Sequence, residues 1–272
     1  MQEQLSEPSV AANGPLAFLL GIIIGAAAGL IGVGGGEFRI PVLLHVLRLP
    51  VRIAAGANMV IGLFVVTLGV IRRWGQHAWD ADSLTLAGIM VVASLVGSVI
   101  GVRQAHRLST PILKRIVCGY LLVVGVWMVL EGLTQTEHAW LSSQGLPRWL
   151  LAAACGFVIA VVSGALGVAG GEMRIPALLY LFAVPIKEAG TLSLLVSIPT
   201  VAGGALTYHR LGHIPNRALA IAGLMGAGSI VGVLIGASLL PYVDKHAIKA
   251  LLGFILLLAT GGLIYFKPRK RP

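Results

Sequence analysis

Gly29-Leu-Ile-Gly-Val-Gly-Gly-Gly-Glu-Phe-Arg-Ile-Pro41 recurs 135 residues later as Gly164-Ala-Leu-Gly-Val-Ala-Gly-Gly-Glu-Met-Arg-Ile-Pro176. Chance similarity between apolar runs does not produce a matched Gly-Gly-Glu-X-Arg-Ile-Pro, so the chain is read as an internal duplication. The same register pairs Pro50 with Pro185, Leu86-Ala-Gly-Ile-Met90 with Ile221-Ala-Gly-Leu-Met225, and Ser94-Leu-Val-Gly97 with Ser229-Ile-Val-Gly232. It divides the chain into a tail at 1–14, repeat one at 15–131, a polar linker at 132–147, repeat two at 148–266 and a basic tail at 267–272.

The sequence around the motif is too apolar for a water-soluble protein. Of 272 residues, 57% are hydrophobic and 11% charged, and the mean hydropathy is +0.92. That leaves too little charge to coat a surface of this size. Disorder is excluded for the same reason. The 36 glycines follow no collagen period and suit close helix packing in a bilayer. A net charge of +10 does not make this a nucleic-acid binder, because the cations fall in small groups between apolar runs, with no basic stripe interleaved with aromatics. Cys118 and Cys155 lie inside apolar runs and imply no disulfide framework. The first thirteen residues carry Glu3 and Glu7 without Lys or Arg. That is a poor start for a cleaved signal peptide, and the chain is expected to insert intact.

Crossing ~30 Å of hydrocarbon takes ~20 residues. Suitable runs lie at 15–36, 53–71, 84–102, 116–130, 149–171, 189–208, 218–243 and 250–266. Two shorter apolar pieces, 40–47 and 175–184, follow the glycines. The fold class is therefore an all-α polytopic membrane protein with two homologous repeats. Each repeat holds a glycine-broken segment, re-entrant or discontinuous, and three transmembrane helices.

Charge decides between orientations. If all eight runs span, the repeats are parallel and the loop cations divide nine against nine. If each glycine-broken segment dips in and returns, each repeat has three spans and the repeats are inverted. One side then carries Arg48, Arg52, Arg103, Arg107, Lys114, Arg115, Arg210, Arg217 and four C-terminal cations, twelve in all. The other carries six: Arg72, Arg73, Arg148, Lys187, Lys245 and Lys249. The positive-inside rule favours this inverted arrangement, with both termini cytoplasmic, in a cell membrane, the inner one where there are two. Inverted repeats with broken helices are a transporter architecture.

Irregular backbone at membrane depth survives only where it is buried in protein or lines a cavity, and ionisable groups there mark function. The motif glycines, Gly34, Gly35, Gly36, Gly170 and Gly171, permit backbone N–H groups to approach a ligand closely. Pro41 and Pro176 suit the first turn of a following short helix, whose positive end would face the loop. Arg39 and Arg174 add planar donor forks that fit an oxyanion. The ligand read from these residues is a small anion. Glu37 and Glu172 read in two ways, as ion-pair partners of the arginines or as carriers of a coupling ion such as a proton.

Together with Ala189-Gly-Thr-Leu-Ser193 and Tyr208-His-Arg-Leu-Gly-His-Ile214, the doubled glycine motif resembles the sulfite exporter TauE/SafE family of transporters over nearly the whole chain. The resemblance implies a carrier of sulfur-containing or related organic anions, such as sulfite, sulfoacetate or other sulfonates. It carries the family's paired loops onto Gly34, Gly35, Gly36 and Pro41, then Gly170, Gly171 and Pro176. Family members commonly have an apolar residue where Glu37 and Glu172 stand, so the Glu-X-Arg pairs are a departure that strengthens the case for an anion. Asn58, Thr191 and Ser193 follow as polar groups able to face the same cavity or to bond between helices.

Enzyme chemistry has no constellation here. There is no Gly-Lys-Ser/Thr, no Gly-X-Ser-X-Gly and no His-Glu-X-X-His. His209 and His213 are four apart, but Gly212 and Pro215 place them at a helix end without the third ligand zinc requires. No cofactor or metal is implied. The expected partners are a small anion, the lipid bilayer, a coupling ion, and a second copy through glycine-mediated contacts. An anion channel with the same pore lining is the competing reading, and a membrane-embedded enzyme or scaffold subunit the third.

Overall fold

The computed structural model describes residues 8–76, 79–105, 111–135 and 145–265. Most of the linker, both extreme tails and Arg107 therefore lie outside the described residues.

Backbone polar groups in hydrocarbon must be satisfied within the segment, and each apolar run forms a helix. Repeat one comprises α1 (Pro8–Ile31), α2 (Gly36–His45), α3 (Val51–Trp74), α4 (Ala81–Arg103) and α5 (Pro111–Thr134). Repeat two comprises α6 (Leu146–Leu166), α7 (Gly171–Phe182), α8 (Ile186–Arg210), α9 (Asn216–Leu239) and α10 (Lys245–Tyr265), with a short 3-10 turn at Leu240–Tyr242. Among the described residues, seven helices are long and apolar enough to cross a membrane: α1 (over Gly14–Ile31), α3, α4, α5, α6, α8 and α9, the last continuing to Tyr242. The chain is an all-α polytopic membrane protein.

The duplication is written into the backbone. Gly35 and Gly170 precede α2 and α7 in the same left-handed conformation, at φ of 70° and 81°. Pro50 and Pro185 precede α3 and α8 at φ of −58° and −56°. One expectation is corrected at this point. Pro41 and Pro176 lie inside α2 and α7, not in their first turns. The helices start at Gly36 and Gly171, because the glycines themselves turn the chain and the following Glu-X-Arg is already helical. A proline has no N–H, so the carbonyls of Glu37 and Glu172, four residues earlier, lose their helical donors.

Helix directions follow from the contacts. Gly21, Gly25 and Gly29 of α1 press against Met225, Ser229 and Val233 of α9, so these two helices run parallel. Gly228, Gly232 and Gly236 return the contact against Phe18, Ile22 and Ala26. A Cβ on any of these six would fall within 2.4 Å of a facing backbone oxygen, so the pair is as close as backbones allow. The repeat-related pair α4 and α6 is also parallel, with Gly97 and Gly101 against Phe157 and Val161.

Two further pairs run antiparallel. Gly62 and Gly69 of α3 lie against Val201 and Leu194 of α8, and Gly125 and Gly132 of α5 against Gly253 and Ala250 of α10. Along α9, α3 ascends as α1 does, with Ile61 at Gly226 and Gly69 beside Val233. Thus α1 and α3 point the same way, and residues 32–50 bring the chain back to the side where α1 began. Helix α1 is long and apolar enough over Gly14–Ile31 to cross a membrane by itself, and the glycine loop and α2 make the return.

Candidate functional site

The two glycine loops cross at the centre of the fold. Gly34 approaches Ala169, Gly36 approaches Val168, and a Cβ on Gly171 would fall 2.3 Å from the Val33 carbonyl oxygen. Only residues without side chains let the loops interlock at this distance, and Gly32, Gly34 and Gly35 also require positive φ. The first turns of α2 and α7 are thereby brought close together. Each turns the positive end of its dipole toward the crossing, and in α7 the N–H of Met173 already donates to the Gly170 carbonyl at 3.3 Å.

Asn58, from α3, ties the crossing together. Its Nδ2 donates to the Gly167 carbonyl of the other repeat at 2.7 Å, and its Oδ1 accepts from Arg39 Nε at 2.9 Å. Arg39 has no solvent exposure. Its Nη1 and Nη2 have no hydrogen-bond partner; Nη1 lies beside Gly35 and Nη2 beside Gly62. Burying such a charge without acceptors costs several kcal/mol, roughly, even after relaxation.

Arg174, equally buried, stands in different company. Its Nη1 donates to Ser197 Oγ at 2.7 Å and to the Ser193 carbonyl at 3.1 Å, with a longer contact to the Ala169 carbonyl; its Nη2 reaches Thr200 Oγ1 at 3.5 Å. The repeat register puts Asn58, Gly62 and Val65 where Ser193, Ser197 and Thr200 stand. The hydroxyl ladder that occupies Arg174 is therefore missing around Arg39. The two arginines are equivalent by sequence and unequal by environment.

Glu37 and Glu172 do not form the ion pairs expected with these arginines. Among the described residues the ion pairs are Arg148–Asp82 at 2.7 Å and Lys249–Glu131 at 3.0 Å. The reason is helical spacing: residues two apart point to opposite sides, so Glu37 faces away from Arg39 and Glu172 from Arg174. The two carboxyls instead face each other across the crossing. Both Glu37 oxygens and Oε2 of Glu172 are buried without a donor.

Of the remaining sequence candidates, Ser193 joins the site through its backbone, its hydroxyl having no partner. Thr191 donates to the Lys187 carbonyl of its own helix instead of converging on the arginines. His213 sits in the turn after α8 against the Tyr208 ring. Burial, and then the charge of Arg52, holds its imidazole below its ordinary range.

Several residues escaped the sequence. The one trace that Ser197 and Thr200 leave in it is their spacing, hydroxyls four and seven after Ser193 within an apolar run. Arg73 and Lys249 read as loop cations, yet both are buried. Arg73 donates to the carbonyls of Gly29 at 3.2 Å and Lys187 at 2.8 Å, tying the end of α1 to the start of α8. In repeat two, Tyr208 occupies the position of Arg73, and its hydroxyl donates to the Gly164 carbonyl, the counterpart of Gly29. Lys249 and Tyr180 both donate to Glu131 Oε2, joining α10 and α7 to α5.

Comparison with known proteins adds the family context. The family model for the sulfite exporter TauE/SafE family matches residues 16–271. A probable membrane transporter of Methanocaldococcus jannaschii is 28% identical over 250 residues, covering 86% of this chain and 85% of its own length. The probable membrane transporter YjnA of Bacillus subtilis is 23% identical, over 90% of this chain and 98% of its own. One from Xylella fastidiosa is 24% identical, over 87% and 89%. No solved structure matches the chain.

Proposed function

The chain belongs to the sulfite exporter TauE/SafE family, membrane transporters and not enzymes, and on that premise we propose that it is a secondary transporter of a small sulfur-containing or organic anion, working by alternating access. The anion binds where α2 and α7 begin, held by their free N–H groups and by the Nη donors of Arg39. Gly34, Gly35, Gly36, Gly170 and Gly171 let it approach the backbone, and Asn58 aims the guanidinium. Arg174 sets the field and is held by its hydroxyl ladder. The observation that carries this reading is the fully buried Arg39, whose Nη groups have no acceptor among the described residues and whose Nη1 lies beside Gly35 at the start of α2.

The repeats, 15–131 and 148–266, are inverted and rock about this site. Support comes from the antiparallel packing of α3 on α8 and α5 on α10, each pair being related by the repeat. An axis along the membrane normal would leave repeat-related helices parallel. With Arg73 and Lys249 buried, the outward loops keep Arg72, Arg148, Lys187 and Lys245, four cations against twelve, which supports cytoplasmic termini.

The test is sulfite and methanesulfonate flux in proteoliposomes. Arg39→Gln is expected to reduce saturable flux at least about tenfold, the loss of one or more charge-assisted hydrogen bonds. Full flux in Arg39→Gln overturns the reading. Steady single-channel current in place of saturable countertransport would make the protein a channel.

A further inference from the structure

We propose that Glu37 and Glu172 together form one proton-binding site, a carboxyl–carboxylate pair shared between the two repeats, and that this proton travels with the anion. The coupling rests on the transporter reading above; the proton site itself rests on geometry. Both residues are second in their helices, immediately after the glycines that interlock. The loop contacts of Gly36 with Val168 and Gly171 with Val33 fix the two helix starts against each other, and the side chains meet between them. Three carboxylate oxygens there are buried with no donor.

Ionised carboxylates sheltered from water without donors are costly, and two at close range repel. The positive ends of α2 and α7 favour negative charge, enough to keep one carboxylate. A single proton removes the second charge, and its O–H···O⁻ bond supplies a donor to an orphaned oxygen. The motif arginines act on these carboxyls through charge alone, and Ser163 of α6 brings an unpartnered hydroxyl beside Gly170. Arg39 points to Asn58, and Arg174 to Ser193 and Ser197, neither within ion-pair distance of a carboxylate. From α5, Tyr120 faces Glu172 and donates to the Met173 carbonyl; Cys155 of α6 lies beyond it. The polar groups that α3 and α8 bring here are Asn58, Ser193, Ser197 and Thr200, all neutral.

The consequence is electrostatic. With one proton bound, the crossing carries two guanidinium charges against one carboxylate. Without it the charges balance, and the attraction for an anion falls. Proton and anion therefore bind with positive coupling, and by linkage each raises the affinity of the other.

Two measurements test this. The first is infrared difference spectroscopy of the purified protein, without any anion, between mildly alkaline and acidic pH. Wild type is expected to show a protonated-carboxyl band equivalent to one proton per chain, lost in both Glu37→Gln and Glu172→Gln and kept in Glu37→Asp. Thermal unfolding in detergent checks that each variant is folded. A band unchanged in both Gln variants, or no titrating band in wild type, overturns the proton site. The second is methanesulfonate uptake, a probe whose own charge is constant over this pH range. Wild-type uptake is expected to rise at least about tenfold under an inward proton gradient, ~1.4 kcal/mol of coupling. Uptake indifferent to the gradient overturns the coupling and leaves the anion-transporter reading standing. A titrating band in a protein that carries no anion defeats that reading and the coupling together, and leaves the proton site intact.

Discussion

At the scale of single residues, the proposed function turns on what stands opposite an arginine. Arg39 and Arg174 share motif, helix position and burial, and differ only in the neighbours that α3 and α8 bring. Gly62→Ser places a hydroxyl where Ser197 serves Arg174. It is expected to satisfy an Nη donor, raise the thermal midpoint in detergent, and lower sulfite flux as the guanidinium turns inward. Flux unchanged by Gly62→Ser would mean that Arg39 does not need its donors free. The arginines and the glycines of the proposed site were legible in the sequence because the repeat doubles them, and Asn58 only as a polar group within an apolar run. The hydroxyl ladder was not, since serines and threonines within membrane helices ordinarily bond their own preceding turn. Ser197 and Thr200 do that too, to the carbonyls of Ser193 and Val196. Of the two readings of Glu37 and Glu172, pairing with the arginines finds no salt bridge among the described residues, because proximity along the chain is not proximity around a helix.

Helices α1 and α9 meet through glycines at every turn, and that spacing sets their tolerance to change. A Cβ at Gly236 would lie 1.9 Å from the Ala26 carbonyl oxygen, whereas one at Gly88 or Gly223 meets nothing within 4 Å. Gly236→Val is therefore expected to cost ~3 kcal/mol or more by overpacking, while Gly88→Ala and Gly223→Ala leave the thermal midpoint within a degree or two. Equal effects in all three would mean that the close approach is not what holds the pair. Between α5, α7 and α10, Lys249→Met strands Glu131 as a buried charge, at a cost of ~3–5 kcal/mol. Adding Glu131→Leu is expected to recover much of that loss, because the pair's desolvation disappears with it. At the start of α10, backbone N–H groups, that of His246 first, hold the exposed Asp244 carboxylate below its ordinary range. Its small contribution is present above the ordinary aspartate range and is lost as pH falls through the lowered value. Element positions were readable from apolar run lengths, but the start of α2 and α7 was not. Glycine signals a break, and here the break is only four residues long, 32–35 and 167–170, before helix resumes.

For the whole molecule, the proposed binding site is a meeting of two halves, and sequence divergence between the halves would give that site its polarity. Membrane class could be read from the chain alone. Loop charge favoured one orientation of the halves, and Arg73 and Lys249, counted there as loop residues, fold back into the protein, which widens the margin. Packing adds an independent observation: repeat-related α3 and α8 cross antiparallel, and α1 and α3 run alike. Everything functional then depends on an anion lying between the two helix starts. Selenite shares the shape and charge of sulfite and carries an anomalous scatterer, so a crystal soaked with it locates the anion directly. The account predicts an anomalous peak within hydrogen-bonding distance of Arg39 Nη1 or Nη2 and of the first N–H groups of α2 or α7. A peak at any other place in the protein, with the Arg39 guanidinium still untouched, would contradict it.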